Sequence, residues 1–264
     1  MVQKRGQITI FIVIAILIIA LVVVVFLVRN QLIPLPQAGI ASSSLQFENS
    51  IKECVRVNAR NAITILSLAG GDTENELNSV TFKDDSYTYL CYTGVPGVCV
   101  NQKEVIWHDE TQLEEKLGSV IETRTPSCIN KIITSAEKNG FAVTSSEEPN
   151  AEVEIKDGRV DVSYIQAIEF AKGDDKSSFE KFDVPINSNL WDFVEVTNNI
   201  VNEKANCDTE FSNVDKLSIA MTRGILVSEE GNARNIYFAR IYSLKKGQEE
   251  FRFATRSCVD EFFS

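Results

Sequence analysis

The strongest constraint on this chain is an apolar run of 21 residues, 8–28, in which Thr9 is the one polar side chain. A helix rises about 1.5 Å per residue, so this run extends about 32 Å, close to the ~30 Å hydrocarbon core of a bilayer. Lys4 and Arg5 precede it, and Arg29 alone follows before a long uncharged stretch. This distribution of cations predicts one transmembrane helix with a cytoplasmic N-terminus and an extracellular C-terminal region.

The segments on either side of the apolar run also have predicted roles. Residues 1–7 form a basic leader on the cytoplasmic side, and no small-residue cleavage site follows the apolar run as it does in a secretory signal. The helix is therefore expected to remain as an anchor. Residues 29–42 contain Pro34, Pro36 and Gly39, which end the helix and predict a short, stiff linker.

The charge balance excludes one class of partner. The chain has 26 Lys plus Arg and 37 Asp plus Glu. Without Lys4, Arg5 and Arg29, the rest carries 23 cations against 37 carboxylates, a net charge of −14. Nucleic acids are bound mainly through Lys and Arg, so we expect no nucleic-acid partner. The acidity itself is typical of a soluble surface.

All six cysteines lie beyond the apolar run, in the region predicted to face an oxidising compartment, which predicts disulfides. Cys91 and Cys99 flank a turn-rich segment and are the safest pair. By position, the other bridges are expected between Cys54 and Cys128 and between Cys207 and Cys258, although sequence alone leaves fifteen pairings open. With no CxxC motif and a single histidine, a zinc site of the Cys/His type is excluded.

Residues 43–146 are predicted to form a helical subdomain with a β-hairpin. Apolar residues recur at helical spacing over 44–69, up to Gly70 and Gly71. The Val-, Tyr- and Thr-rich segment 80–100 predicts the hairpin. Two further helices are expected, one opened by Thr111 and the next opened by Thr125 and Pro126.

Residues 147–264 are predicted to form an antiparallel β subdomain with a packed helix. Apolar residues alternate on both sides of Asp157-Gly158, a strong hairpin turn, and a third strand is expected near 182–186. A helix over 189–204 is followed by strands near 224–227, 235–242 and 249–256. The fold class is therefore α+β on one N-terminal transmembrane helix.

Four segments together carry a resemblance to a known group. They are KRGQITIFIVIAIL, the SIKECV helix leading to LSLAGG, the TPSCI helix, and the paired strands AEVEIKDGRVDVSYIQAIEF. Their order resembles membrane-anchored surface proteins of small-genome archaea. The resemblance spans most of the chain and implies an archaeal cell envelope and a single pass through the membrane. It carries over no catalytic residue.

The leader also resembles the class III, type IV pilin-like leaders of archaea, because basic residues and a glycine precede a glutamine and a long apolar helix. That resemblance implies cleavage between Gly6 and Gln7. Such leaders usually carry Glu at the fifth mature position, where this chain has Phe11. A helix that stays in the membrane as an anchor is therefore favoured over a filament core.

No familiar catalytic motif is present. The sole histidine, His108, adjoins Trp107 and two carboxylates, which is typical of a surface side chain, and no GxSxG, Walker loop, GxGxxG or HExxH occurs. The pairs Asp84-Asp85 and Asp174-Asp175 lack the alternating ligands of a calcium loop and are predicted to be turns. No catalytic, cofactor-binding or metal-ligating residue is assigned.

These observations predict a non-enzymatic envelope protein with a structural or surface-interaction role. Its expected partners are the lipid bilayer and other envelope proteins or further copies of itself. Two alternatives stay open. One is a pilin-like subunit processed before Gln7, and the other is an extracellular hydrolase that uses Asp and Glu side chains.

Overall fold

The computed structural model describes residues 40–72, 79–92, 110–146, 148–205, 219–231 and 239–256. The chain divides into two compact units, Met1–Ser43 and Ser44–Ser264, and nearly all described residues belong to the second. In the described part, no helix is both long and apolar enough to cross a membrane. The predicted leader and the predicted span at 8–28 lie outside the described residues, as does most of the linker.

The described residues form an α+β fold, which confirms the α+β part of the predicted class. Its elements in chain order are α1 (Ile40–Leu68), β1 (Ser79–Phe82), β2 (Asp85–Tyr92), α2 (Glu110–Lys138), β3 (Ala142–Ser145), β4 (Asn150–Lys156), β5 (Arg159–Lys172), β6 (Asp175–Asn187), α3 (Leu190–Ala205), β7 (Leu226–Gly231), β8 (Ala239–Lys246) and β9 (Glu249–Arg256).

The first helix agrees with its sequence pattern, although it begins at Ile40, within the predicted linker. Residues at helical spacing, such as Ile51, Val55 and Leu66, are fully buried. The helix ends as predicted, because Gly70 and Gly71 adopt positive φ of 63° and 85° and the Gly71 N–H donates to the Leu66 carbonyl at 2.8 Å. Such a turn satisfies a carbonyl that the helix itself leaves unbonded.

The prediction of two helices around Pro126 is wrong, because α2 runs without interruption from Glu110 to Lys138. A proline within a helix removes one backbone hydrogen bond. Buried residues on both sides of it, Ile121 and Ile129, nevertheless pack into the same hydrophobic core. Continuous burial of one helix face thus outweighs the local preference of proline for a helix start.

The strands form two sheets, whereas the sequence predicted a separate N-terminal hairpin and one C-terminal antiparallel sheet. In the first sheet β5 is central, with β6 along one edge and β4 and β3 in succession along the other, all antiparallel. The second has the order β1-β2-β9-β8-β7. Its β2–β9 pairing is parallel, so the predicted N-terminal hairpin joins the C-terminal strands. Strand β3 was not predicted from sequence.

The second sheet is strongly curled. β1 and β7 are the two edge strands of this five-stranded sheet. In a flat sheet they would lie about 19 Å apart. Even so, Lys83 at the β1–β2 turn reaches Glu230 of β7 at 2.5 Å. Inside this curl lies a small apolar cluster that includes Tyr87 and Ile241.

One main hydrophobic core unites the three helices and both sheets. Its fully buried residues include Leu66 of α1, Leu117 of α2, Phe182 of β6 and Phe253 of β9. Residues before and after the predicted subdomain boundary at 146/147 therefore contribute to the same core. The boundary itself stays a prediction.

Helix α2 lies directly along the open edge of β4. The Glu114 carboxylate accepts a hydrogen bond from the Ile155 N–H at 2.7 Å, and the Glu122 carboxylate accepts one from the Ala151 N–H at 2.8 Å. Between them, Gly118 approaches so closely that an added Cβ would lie 2.6 Å from the Ala151 carbonyl oxygen. We call Glu114, Gly118 and Glu122 with the β4 edge the α2–β4 seam.

We expect Gly118→Ala to destabilise the fold by about 2 kcal/mol, because the new methyl group must push α2 away from β4. In an ordinary helix the same change stabilises by about 1 kcal/mol, so the predicted sign is opposite. Urea denaturation followed by circular dichroism measures this change in the free energy of unfolding. Ser119→Ala, at the adjacent exposed position, is the control and is expected within about 0.5 kcal/mol of the native protein. If Gly118→Ala stabilised the protein, that result would contradict the close approach of α2 to β4 at this seam.

A disulfide joins Cys54 of α1 to Cys128 of α2, with Cα atoms 6.1 Å apart and a sequence separation of 74. This is the pair expected from their positions.

Closing so long a loop restricts the unfolded chain, so we expect Cys54→Ala/Cys128→Ala to lose about 2–4 kcal/mol of unfolding free energy. Urea denaturation without reductant measures the loss, and equal stability of variant and native protein would contradict it.

Candidate functional site

A cavity of about 190 Å³ lies between the end of α1, the start of α3 and the β8–β9 turn. β2 pairs with β9 only from Tyr89 and Ala254 onward, so β2 does not pair with the first residues of β9. The end of α1 covers the beginning of β9 instead. The cavity is lined by Ile63, Thr64, Ser67, Leu68, Ser188, Phe193, Gln248, Glu249, Glu250 and Arg252.

Close backbone approach fixes α1 against this part of β9. A Cβ added at Gly70 would lie 2.9 Å from the Arg252 carbonyl oxygen, so the glycine permits the approach. The Thr88 hydroxyl donates a hydrogen bond to the Ala69 carbonyl at 2.8 Å. The α1 side of the cavity is thereby held against the second sheet.

The side chain of Glu249, the first residue of β9, is held against the N-terminal end of α3. One of its carboxylate oxygens accepts hydrogen bonds from the Asn189 backbone N–H at 2.6 Å and from the Asn189 side-chain amide at 2.7 Å. A carboxylate at a helix N-terminus is favoured by the helix dipole. Its second oxygen has no hydrogen bond to any residue that the structure describes, so it remains available as an acceptor.

Glu250 and Arg252 neutralise each other at the same cavity. The Arg252 Nη2 donates a hydrogen bond to the Glu250 carboxylate at 3.1 Å, and the Arg252 Nε lies 2.9 Å from it. The same carboxylate accepts a hydrogen bond from the Ser243 hydroxyl at 2.6 Å. Burial by itself would raise the pKa of Glu250, but these bonds and nearby Lys245 outweigh it and lower that pKa. Arg252 has a raised pKa, chiefly through its hydrogen bond to Glu250, and also pairs with Asp85 at 3.0 Å.

Two serines contribute hydroxyl groups to the cavity. Ser67 is 4% exposed, and its hydroxyl makes no hydrogen bond to another described residue. The Ser188 hydroxyl oxygen accepts a hydrogen bond from the Leu190 N–H at 3.2 Å and keeps its own proton for donation. Buried polar groups ordinarily have partners. Ser67 lines the cavity, so its unbonded hydroxyl is open to a bound ligand.

A second charged cluster surrounds Asp192 in the first turn of α3. Its side chain is 4% exposed and pairs with Arg223 at 3.2 Å and with Lys246 at 2.5 Å. Arg223 also contacts Glu195 at 2.5 Å. Both oxygens of Asp192 are occupied, so this cluster ties α3 to β8 and to the segment after the helical turn at 219–222. It has the character of a structural ion-pair network.

Three of the cysteines assigned from sequence lie among the described residues. Cys54 and Cys128 form the disulfide, and Cys91 is buried in β2. The partners expected for the remaining bridges, Cys99, Cys207 and Cys258, lie outside the described residues. The Cys91–Cys99 and Cys207–Cys258 pairings therefore stay predictions. Gly6 and Gln7 at the leader, and His108, lie outside as well.

The first residue of each acidic pair lies in a turn, as predicted, and the second residue, Asp85 or Asp175, begins a strand. Asp84 belongs to the β1–β2 turn with φ of 72°, and Asp174 follows Gly173 in the β5–β6 turn. Among the described residues, no three His, Cys, Asp or Glu side chains group as metal ligands would. The cavity itself was not predicted, because no short motif marks groups brought together from α1, α3 and β9.

Comparison of the chain with protein-family models, curated proteins and solved structures gives no match.

The Glu250–Arg252 pair predicts a dependence of stability on pH. The pKa of Glu250 is lowered from its ordinary value of 4.5, so its charged form stabilises the fold above that pH, and this contribution is lost as pH falls through the lower, folded-state pKa. We expect Glu250→Gln to cost about 1–2 kcal/mol at pH 7 and progressively less below about pH 4.5.

Urea denaturation of both proteins between pH 3 and 7 measures this difference. Glu230→Gln is the control, because Glu230 forms an exposed pair with Lys83 and exposed pairs contribute about 0–1 kcal/mol. A cost of Glu250→Gln that stays constant down to pH 3 would contradict the prediction.

Proposed function

We propose that this protein is a membrane-anchored, extracytoplasmic envelope protein with a structural or surface-interaction role and no enzymatic activity. The observation that carries the proposal is the Cys54–Cys128 disulfide, in a chain with an apolar segment at 8–28. Disulfides persist in oxidising compartments and are rare in the cytosol. An anchor whose positive flank stays inside would deliver the bridged domain to such a compartment.

The wider features are consistent with this assignment. The resemblance to membrane-anchored surface proteins of small-genome archaea points to the same location. The net negative charge favours solubility at a surface and disfavours nucleic acid. The bilayer, other envelope proteins and further copies of the chain are the partners that follow from this proposal.

A pilin-like subunit is the second candidate, and the KRGQ leader is the observation that favours it. In that case the chain would be cut between Gly6 and Gln7 and its apolar helix would enter a filament. Phe11 stands where such a filament helix usually carries a carboxylate, so anchoring is the preferred role.

Localisation and processing test the proposal in native cells. We expect the protein in the membrane fraction, with residues 44–264 digested by protease added to intact cells. Mass spectrometry of the purified chain should find an N-terminus at Met1 or Val2. A chain that begins at Gln7 would instead support the pilin-like subunit, and a protease-resistant protein in the soluble fraction would contradict both.

A further inference from the structure

We propose that the cavity between α1, α3 and the β8–β9 turn binds a short alkylammonium group, supplied by a free small amine or by a lysine side chain. Three properties of the described residues carry this inference: the charge that remains in the cavity, the hydrogen-bonding groups that face it, and its apolar wall.

The charge of the cavity favours a cation. Arg252 is neutralised by Glu250 at 2.9 Å and contacts Asp85 at 3.0 Å. Lys246, the neighbouring cation of the β8–β9 turn, pairs with Asp192 at 2.5 Å. Glu249 is bonded only to the uncharged amides of Asn189, so its negative charge is left without a cationic partner among the described residues. A bound cation would supply that partner.

The polar groups that face the cavity match an ammonium group, which has three donors and no acceptor. The free oxygen of Glu249 and the unbonded hydroxyl of Ser67 both accept hydrogen bonds. Because Asn189 holds the Glu249 carboxylate in place, little side-chain entropy is lost when a ligand binds. A charge-assisted hydrogen bond to this carboxylate is stronger than one between neutral groups.

The remaining wall suits a short alkyl chain. Ile63, Leu68 and Phe193 line the cavity, and Phe193 is 1% exposed. The volume of about 190 Å³ accommodates roughly six groups the size of a water molecule, which fits a four-carbon amine. Ligand sites combine an apolar wall with a few placed polar groups, and this cavity is smaller than the ~300–1,000 Å³ usual for drug-sized ligands, which restricts it to a short alkyl chain.

Ligand-observed saturation-transfer NMR on the full-length protein in detergent tests the proposal. The probe is n-butylammonium chloride, and n-butanol is the neutral analogue of similar size. We expect n-butylammonium to bind with a Kd on the order of 1 mM and n-butanol to bind at least about tenfold more weakly. Nα-acetyl-lysine methylamide, tested in parallel, distinguishes the sources: tighter binding than n-butylammonium identifies a lysine side chain, and weaker binding identifies a free amine.

Two variants locate the site. Glu249→Gln removes the charge but keeps an oxygen to accept the Asn189 bonds, and Ser67→Ala removes the unused hydroxyl. We expect each to weaken n-butylammonium binding about tenfold or more, with unchanged circular dichroism. Glu230→Gln, on β7, removes an equal charge elsewhere and should leave binding unchanged.

Several results would overturn the proposal. They are no saturation transfer to n-butylammonium, equal binding of n-butanol, or equal weakening by Glu230→Gln. Unaltered binding to a folded Glu249→Gln protein would do the same. If Glu249→Gln fails to fold, Ser67→Leu, which fills the cavity, replaces it and must abolish binding.

Discussion

The architecture depends on how the open edge of β4 is satisfied. A strand edge presents backbone N–H groups that need partners, and an uncovered edge invites pairing with other chains. Here two carboxylates of one helix, Glu114 and Glu122, occupy N–H groups of β4, and Gly118 between them allows the helix to lie against the strand. Helix α2 therefore completes the first sheet as well as covering part of the core.

Helix α1 is attached to this assembly at several points. The Cys54–Cys128 disulfide joins it to α2, and Lys116 of α2 lies 3.9 Å from the buried Asp72 just beyond its end. At that end, Gly70 brings the chain against β9. The cavity lies beside this approach, and residues from α1, the start of α3 and β9 line it.

Local patterns in the sequence predicted most individual elements. The alternation on both sides of Asp157-Gly158 predicted β4 and β5, and Gly158 has the positive φ of 74° that this turn requires. The helix over 189–204 agrees with α3. Residues 142–145 gave no strand signal, because β3 is a short, mostly exposed edge strand that pairs only with the end of β5. The prediction of a helix start at Pro126 was wrong, because burial of one face of α2 outweighs the local preference of proline for the first turn of a helix.

The sequence by itself determined the α+β class and the helix end at Gly70 and Gly71, and it predicted that the cysteines form disulfides. These properties depend on residues close together in the chain or on composition. The tertiary structure alone decided the parallel β2–β9 pairing, the α2–β4 seam and the cavity. Each brings together segments that are distant in the chain, as when Ser67 of α1 and Glu249 of β9 line one cavity. Burial and backbone hydrogen bonding hold these segments together, and no local pattern in the sequence records them.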